Sequence, residues 1–205
     1  MEKLLGTLSK GLCVVLSAPA GTGKTTIARM LMDEFPCISE SVSCTTRSMR
    51  PGEIAEKDYH FMTEKEFEVK LKEGEFLEHA NVFGSHYGTL KEHVDKKLES
   101  GKHVILVIDT QGAMQLKEKN YPAIYIFLKP PSLTELRTRL FNRKTEAEKH
   151  IEERLAWAVQ ELEMAKHYDY IVTNDNLHSA YEIMRSILIS EEHKTKRHHD
   201  RKPNQ

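Results

Sequence analysis

Residues 12–31 read LCVVLSAPAGTGKTTIARML, and the fold follows from them. Leu12–Leu16 is a short, uninterrupted apolar run, which predicts a buried strand. Thr25 to about Glu34 predicts a helix with Ile27, Leu31 and Met32 near one face, stopped by Pro36. The loop between them follows G-x-x-x-x-G-K-[ST], except that Ala18 stands at the first glycine position. A tight loop that runs into a helix N-terminus turns its backbone N–H groups inward and forms a nest for phosphate oxygens. Ala18, Pro19, Ala20, Gly21, Thr22, Gly23, Lys24, Thr25 and Thr26 are therefore candidate ATP-binding residues. Lys24 is suited to bridge the β and γ phosphates, and the Thr25 hydroxyl to ligate Mg²⁺ together with waters. The plainer alternative is a glycine-rich turn with a stray lysine, and the strand–loop–helix context argues against it. Ala18 lies at the strand exit, outside the Gly21–Thr25 cradle, and is tolerable there if its φ is negative.

Outward from this unit, HVILVID (103–109), AIYIFL (123–128) and YIVT (170–173) predict further buried strands. Helices are expected from Gln111, from Ser132 through Phe141, from Thr145 to about Lys166, and over Leu177–Ile189. Thr63/Glu66, Ser132/Glu135 and Thr145/Glu148 have the spacing of capping boxes. Strand and helix alternate, so the fold class is α/β, a parallel sheet core flanked by helices on both faces. Residues 38–97 break the alternation. There, a helix through Lys72 ends at Gly74, FLEHANVF and SHYGTL pair around Gly84-Ser85, and 90–99 is an amphipathic helix. The expected organisation is core over 1–37, an inserted α+β module over 38–97, core over 98–130, a helical lid over 131–155, core over 156–190, and a polar tail over 191–205.

A net charge of -1 and a pI of about 6.8 give no electrostatic footprint for nucleic acid or a membrane surface. Cys13, Cys37 and Cys44 form no C-x-x-C pair, which favours a reducing compartment over a zinc site. Lys3 and Lys10 followed by Leu12–Leu16 imitate a secretory signal. The apolar part is too short, and the cleavage point would fall inside the glycine loop. The expectation is a cytoplasmic protein with no nucleic-acid, membrane or obligatory protein partner.

A phosphate loop alone serves kinases, GTPases and ATPases. No N-K-x-D guanine motif follows, which weighs against a GTPase. The discriminating stretch is SCTTRSMRPGEIAEKDY (43–59). Arg47 and Arg50 offer guanidinium forks suited to a phosphate dianion, and Ser43 and Tyr59 add hydroxyls. SVSCTTRSMRPGE followed by KDYHF resembles the guanylate kinase family. The resemblance continues through FLEHA, YGT, HVILVIDTQG and RLFNRKTEAEKHIEERL, over nearly the whole chain. It implies that Ser43, Arg47, Arg50 and Tyr59 bind the acceptor nucleotide, with Tyr87 as a second phosphate-binding tyrosine. It further implies that Glu78 and Thr89 read guanine, that Asp109 lies close to acceptor and metal, that Arg139, Arg143 and Arg154 are lid arginines, and that Asn174 lies near the donor's adenine. Val107 departs from the pattern, since many members carry an acid there.

The chemistry of the residues agrees. Guanine presents N1–H and a 2-amino group side by side, and one carboxylate accepts both, whereas adenine has no such pair. Arg139 and Arg143 are four apart, on one side of a helical turn. Asp109, after a buried strand, would sit at the carboxyl edge where open α/β sheets bind ligands. The reaction so implied is MgATP + GMP to ADP + GDP, with dGMP as a further acceptor. Lys24, Arg139, Arg143 and Arg154 would be catalytic. The alternatives are a protein-binding module of the same fold that has lost catalysis, and a kinase of a phosphorylated sugar.

Overall fold

The computed structural model describes residues 3–142 and 148–195. Five strands form a wholly parallel sheet: β1 (Cys13–Ser17), β2 (Ile38–Glu40), β7 (His103–Val107), β8 (Ile124–Lys129) and β9 (Tyr170–Thr173), in the order β2-β7-β1-β8-β9. Alternate residues of these apolar runs serve opposite faces, as the period of two requires. Val14, Leu16, Ile105, Ile126 and Leu128 pack against α1 (Lys24–Glu34) and α7 (Leu177–Glu192) through Ile27, Leu31, Met184 and Leu188. Cys13, Val15, Val104, Leu106 and Phe127 pack with Val94 and Leu98 of α3 (Lys91–Glu99) and with Ala113 and Leu116 of α4 (Thr110–Glu118). Burial on both faces explains why the strands read as continuous apolar segments. From β1 the chain runs out to β2 at one edge, returns through β7, and crosses to β8 and β9 on the other side. The carboxyl ends of β1 and β7 therefore border the crevice that such sheets offer a ligand.

A second sheet, ordered β4-β3-β6-β5, is built between β2 and α3. Its main part is the hairpin of β5 (Phe76–Val82) and β6 (Ser85–Leu90). The short strands β3 (Cys44–Thr45) and β4 (His60–Phe61) complete it, with α2 (Glu64–Lys72) alongside. The capping box of α2 forms as its spacing predicts. Thr63 Oγ1 accepts from Glu66 N–H at 3.2 Å, and Glu66 Oε2 accepts from Thr63 N–H at 2.7 Å. The β5 edge is covered by α4: Gln115 pairs with both the N–H and the carbonyl of His79, and Lys119 Nζ donates to Leu77 O at 3.0 Å. A side-chain amide thereby satisfies backbone groups that an open edge would expose.

Helices α5 (Leu133–Asn142) and α6 (Glu148–Met164) stand beside the loop after β1. Ser132 caps α5, accepting from Glu135 N–H at 3.0 Å, but the Glu135 carboxylate turns to Arg139 at 2.9 Å instead of completing a box. Arg143, and Thr145 of the third predicted box, lie outside the described residues. Strand β7 ends at Val107, two residues earlier than expected, because Asp109 leaves the ladder to cap α4.

The boundary expected at 191 needs correcting. Helix α7 continues to Glu192, and Glu191 and Glu192 are 3% and 0% exposed. Glu192 accepts from Gly6 N–H at 2.9 Å, Thr7 N–H at 2.8 Å and Thr7 Oγ1 at 2.6 Å, and stands 2.6 Å from His103 Nε2. On the other side of that imidazole, Nδ1 accepts from Leu12 N–H at 3.0 Å. A buried carboxylate must be paired on all sides. Here Glu192, which looks like part of a solvated tail, is the pin that holds the segment before β1, while Glu191 accepts from Tyr170 OH at 2.6 Å.

Candidate active site

The loop after β1 has the shape its glycines require. Gly21 and Gly23 sit at φ 88° and 104°, and a Cβ at either would come within 2.9 Å of Leu140 or 2.8 Å of Asn174 Nδ2. Positive φ among non-glycine residues is confined to Glu56, Phe83 and Asn120 among those described, so Ala18 meets the condition set for it. Ala18 is 1% exposed, and its carbonyl accepts from Lys24 Nζ. Asn174, 4% exposed, donates from Nδ2 to Thr22 O at 2.7 Å, and its own carbonyl accepts from Arg139 Nη1 at 3.0 Å. A chain of hydrogen bonds from α5 through the end of β9 thus braces the loop from behind. Thr25 and Thr26 are exposed on the first turn of α1.

In front of the loop lies a cavity of about 740 Å³, walled by Ala20 and Lys24 on one side, Val107, Ile108 and Asp109 behind, and the second sheet opposite. One face of the β5–β6 hairpin forms that wall. Glu78 pairs across with Thr89, Ala80 with Tyr87 and Val82 with Ser85, so these residues share a face. Glu78 is 3% exposed and accepts from Thr89 Oγ1 at 2.5 Å. Burial raises its carboxyl to about 7, the nearby Asp109 adds to the rise, and Thr89 and Lys119 oppose it. Its other oxygen lies over Gly112 on α4, where a Cβ would come within 2.0 Å of Oε2.

Arg47 is held on several sides, and the Ser48 carbonyl accepts from its Nη1 at 2.6 Å. Its Nη1 and Nη2 fork onto Glu53 at 3.0 and 2.8 Å, and its Nε donates to Tyr87 OH at 3.2 Å. The Tyr59 ring lies 5.3 Å from its guanidinium carbon. The Arg47 pair pulls the Glu53 carboxyl below its usual range. Burial raises the Tyr59 phenol, which keeps it a neutral hydroxyl donor. Arg50 also lines the cavity. Asp109 caps α4 by accepting from Gly112 N–H at 2.9 Å, and burial raises its carboxyl while the Lys24 charge opposes the rise. An adjoining cavity of about 1000 Å³ carries Thr25, Ser43 and Tyr59 on its walls.

A protein-family model described as Guanylate kinase matches residues 10–191. The chain belongs to the guanylate kinase family. A relative from Protochlamydia amoebophila named Guanylate kinase is 52% identical over 189 residues, covering 92% of this chain and 95% of the relative. One of the same name from Clostridium perfringens is 42% identical over 183 residues, 89% and 85% of the two chains. The crystal structure of guanylate kinase from Anaplasma phagocytophilum superposes with a TM-score of 0.77 at 34% identity, over 95% of this chain and 92% of that one.

In this family member the cavity brings together Lys24, Ser43, Arg47, Arg50, Tyr59, Glu78, Tyr87, Asp109 and Arg154 from segments up to 130 residues apart. Thr89 stands behind Glu78 and orients it. Arg139 is not on the cavity wall but packs against the loop's brace at Asn174. Sequence reasoning missed three residues. Glu53 holds Arg47, and its signal is an acid six residues after the arginine in the same polar loop. Gly112 leaves room for Glu78, whose carboxylate would have to shift if a Cβ stood there. Glu161, 6% exposed on α6, is raised to about 7 by burial, with the Lys24 charge opposing and Asp109 adding to the rise. An acid at helical spacing among Ala158, Leu162 and Ala165 is the trace it leaves in the sequence.

Proposed function

We propose that this chain transfers the γ-phosphoryl group of ATP to GMP, with dGMP as a further acceptor. The observation that carries the reading is the cavity wall on which a buried carboxylate, Glu78, and an arginine held by Glu53 and Tyr87 face Lys24. The carboxylate suits guanine's adjacent N1–H and 2-amino donors, and Arg47, Arg50, Tyr59 and Tyr87 suit the acceptor phosphate. The acceptor oxygen is already anionic near neutral pH, so the chain has no proton to remove. Its work is to hold the two substrates in line and to meet charge on the transferring group. The loop's N–H groups and Lys24 serve the donor. Arg154 on α6 serves the phosphoryl as it moves, with Arg139 and Arg143 as further lid arginines. Closure of 38–97 and of 131–155 over the substrates would exclude water.

Mg²⁺ would be held by the Thr25 hydroxyl with donor phosphates and waters, and supplies charge neutralisation at the β and γ oxygens. The donor set fits this ion: Mg²⁺ borrows substrate phosphates and keeps waters instead of needing a protein cage. No group of three or more His, Cys, Asp or Glu side chains suited to a metal occurs among the described residues. No helix among them is long and apolar enough to cross a membrane, and Cys13, Cys37 and Cys44, thiols outside any disulfide, suit a reducing cytoplasm.

ADP release measured with GMP, dGMP, AMP, UMP and ribose phosphates tests the reading. A strong preference for GMP is expected. Equal turnover of a ribose phosphate would favour a sugar-phosphate kinase, and no turnover with any acceptor would favour a protein-binding module.

A further inference from the structure

The tip of the β5–β6 hairpin meets α6 at the mouth of the cavity. Phe83 occupies the turn at φ 50°, followed by Gly84 at φ 80°, and is 55% exposed. A bulky residue at positive φ is uncommon and calls for a reason. The turn carries the ring toward α6. Its centroid lies 6.0 Å from that of Trp157, tilted by 55°, and the Arg154 guanidinium carbon stands 5.7 Å from its centre. Phe83 and Arg154 both line the cavity. The same two strands carry Glu78, Tyr87 and Thr89.

We propose that Phe83 is a positioning residue for phosphoryl transfer: its ring orients Arg154 over the cavity and, against Trp157, latches the acceptor-side hairpin to α6. The inference rests on the function proposed above. A long arginine side chain has many rotamers, and an aromatic face within about 6 Å favours those that lie over it. Because that face is carried by the strands of the acceptor wall, Arg154 is placed relative to the acceptor and not only relative to the phosphate loop.

Trp157 is the single tryptophan of the chain, so its fluorescence reports on the surroundings of this one indole, which Phe83 helps to cover. The experiment compares wild type with F83A, F83L and F83Y, for Trp157 emission without substrate and for kcat and KM with GMP and ATP. Alanine at φ 50° meets the same backbone strain as phenylalanine, and circular dichroism checks the fold. In F83A, Trp157 emission should move to longer wavelength and kcat should fall roughly 3- to 30-fold, the span of a cation–π contact from exposed to desolvated. KM for GMP should stay within about threefold, because the acceptor's own contacts are kept. F83Y should restore kcat, and F83L, which has bulk but no aromatic face, should not. Unchanged emission, an F83A kcat equal to wild type, or full activity in F83L overturns the latch while transfer to GMP by wild type stands. A wild type inactive with GMP overturns the latch and the proposed function together.

Discussion

The two phosphate-handling regions of the cavity are held in different ways. On the donor side, geometry is carried by backbone: left-handed glycines at 21 and 23, and a brace from Asn174 to the Thr22 carbonyl. On the acceptor side it is carried by side chains drawn from several elements, with Arg47 on Glu53 and Tyr87, and Glu78 on Thr89 above Gly112. A backbone nest fits any phosphate and is preformed. A side-chain clamp can be specific for one base, but it depends on each partner, so it should fail piecemeal where the loop fails as a whole.

The sharpest way to break this contrast is at Lys24. Lys24→Met should lower kcat about 1,000-fold or more, as losing a cation at the transferring phosphoryl does elsewhere, with the fold intact by circular dichroism. A loss below tenfold would remove Lys24 from the chemistry. Next comes Glu78→Gln, which presents an NH₂ to a guanine donor. It should cost about 2–4 kcal/mol, roughly 30- to 1,000-fold in kcat/KM for GMP, with KM for ATP nearly unchanged. The pH profile sharpens the test. With its carboxyl raised to about 7, Glu78 is protonated below that pH and offers an O–H toward guanine's donors. Wild-type kcat/KM for GMP should therefore fall as pH drops through about 7, and Glu78→Gln should lose that limb. A profile identical in both would assign the titration to another group, with Glu161 the first candidate.

Glu53→Gln should have a smaller effect, because Arg47 keeps Tyr87 and its own charge. KM for GMP should rise about tenfold with kcat within about threefold, the pattern of a binding loss. An unchanged KM would mean that Arg47 needs no orienting partner. The smallest effect is expected at Ala18. Its φ is ordinary and its side chain is buried, so Ala18→Gly should leave kcat/KM for ATP within about twofold. It should cost roughly 0.5–1 kcal/mol of stability by glycine's added chain entropy, read as a lower denaturation midpoint. A many-fold gain in activity would show that the alanine distorts the loop.

The same contrast explains what was legible in the sequence. The donor loop, four of the five core strands and the α2 capping box are local: residues within a few positions determine them, so period and spacing report them. The fifth strand, β2, falls inside the module expected over 38–97 but joins the core sheet beside β7, a pairing across some 65 residues that no local pattern announces. The resemblance carried the acceptor residues as names. Their physical dependence on Glu53, Gly112 and the packing of α4 on β5 is made by contacts across 6 to 36 residues, which leave no period in the sequence. Asp109 ended β7 early because a capping side chain competes with the ladder. Glu191 and Glu192 misled for the opposite reason: acids near a polar run look solvated until their partners, Tyr170 for Glu191 and Gly6, Thr7 and His103 for Glu192, are brought beside them by the fold.

That pin at Glu192 bears on the order in which the chain is secured. Of its partners, His103 opens β7 and Gly6 and Thr7 lie in the segment before β1, at the ends of these strands opposite the cavity, some 17 Å away by strand length. The segment before β1 is thus fastened by a helix turn more than 180 positions later in the chain. A chain cut just short of that turn would keep all five strands of the sheet in its sequence but leave Gly6, Thr7 and His103 without their shared carboxylate.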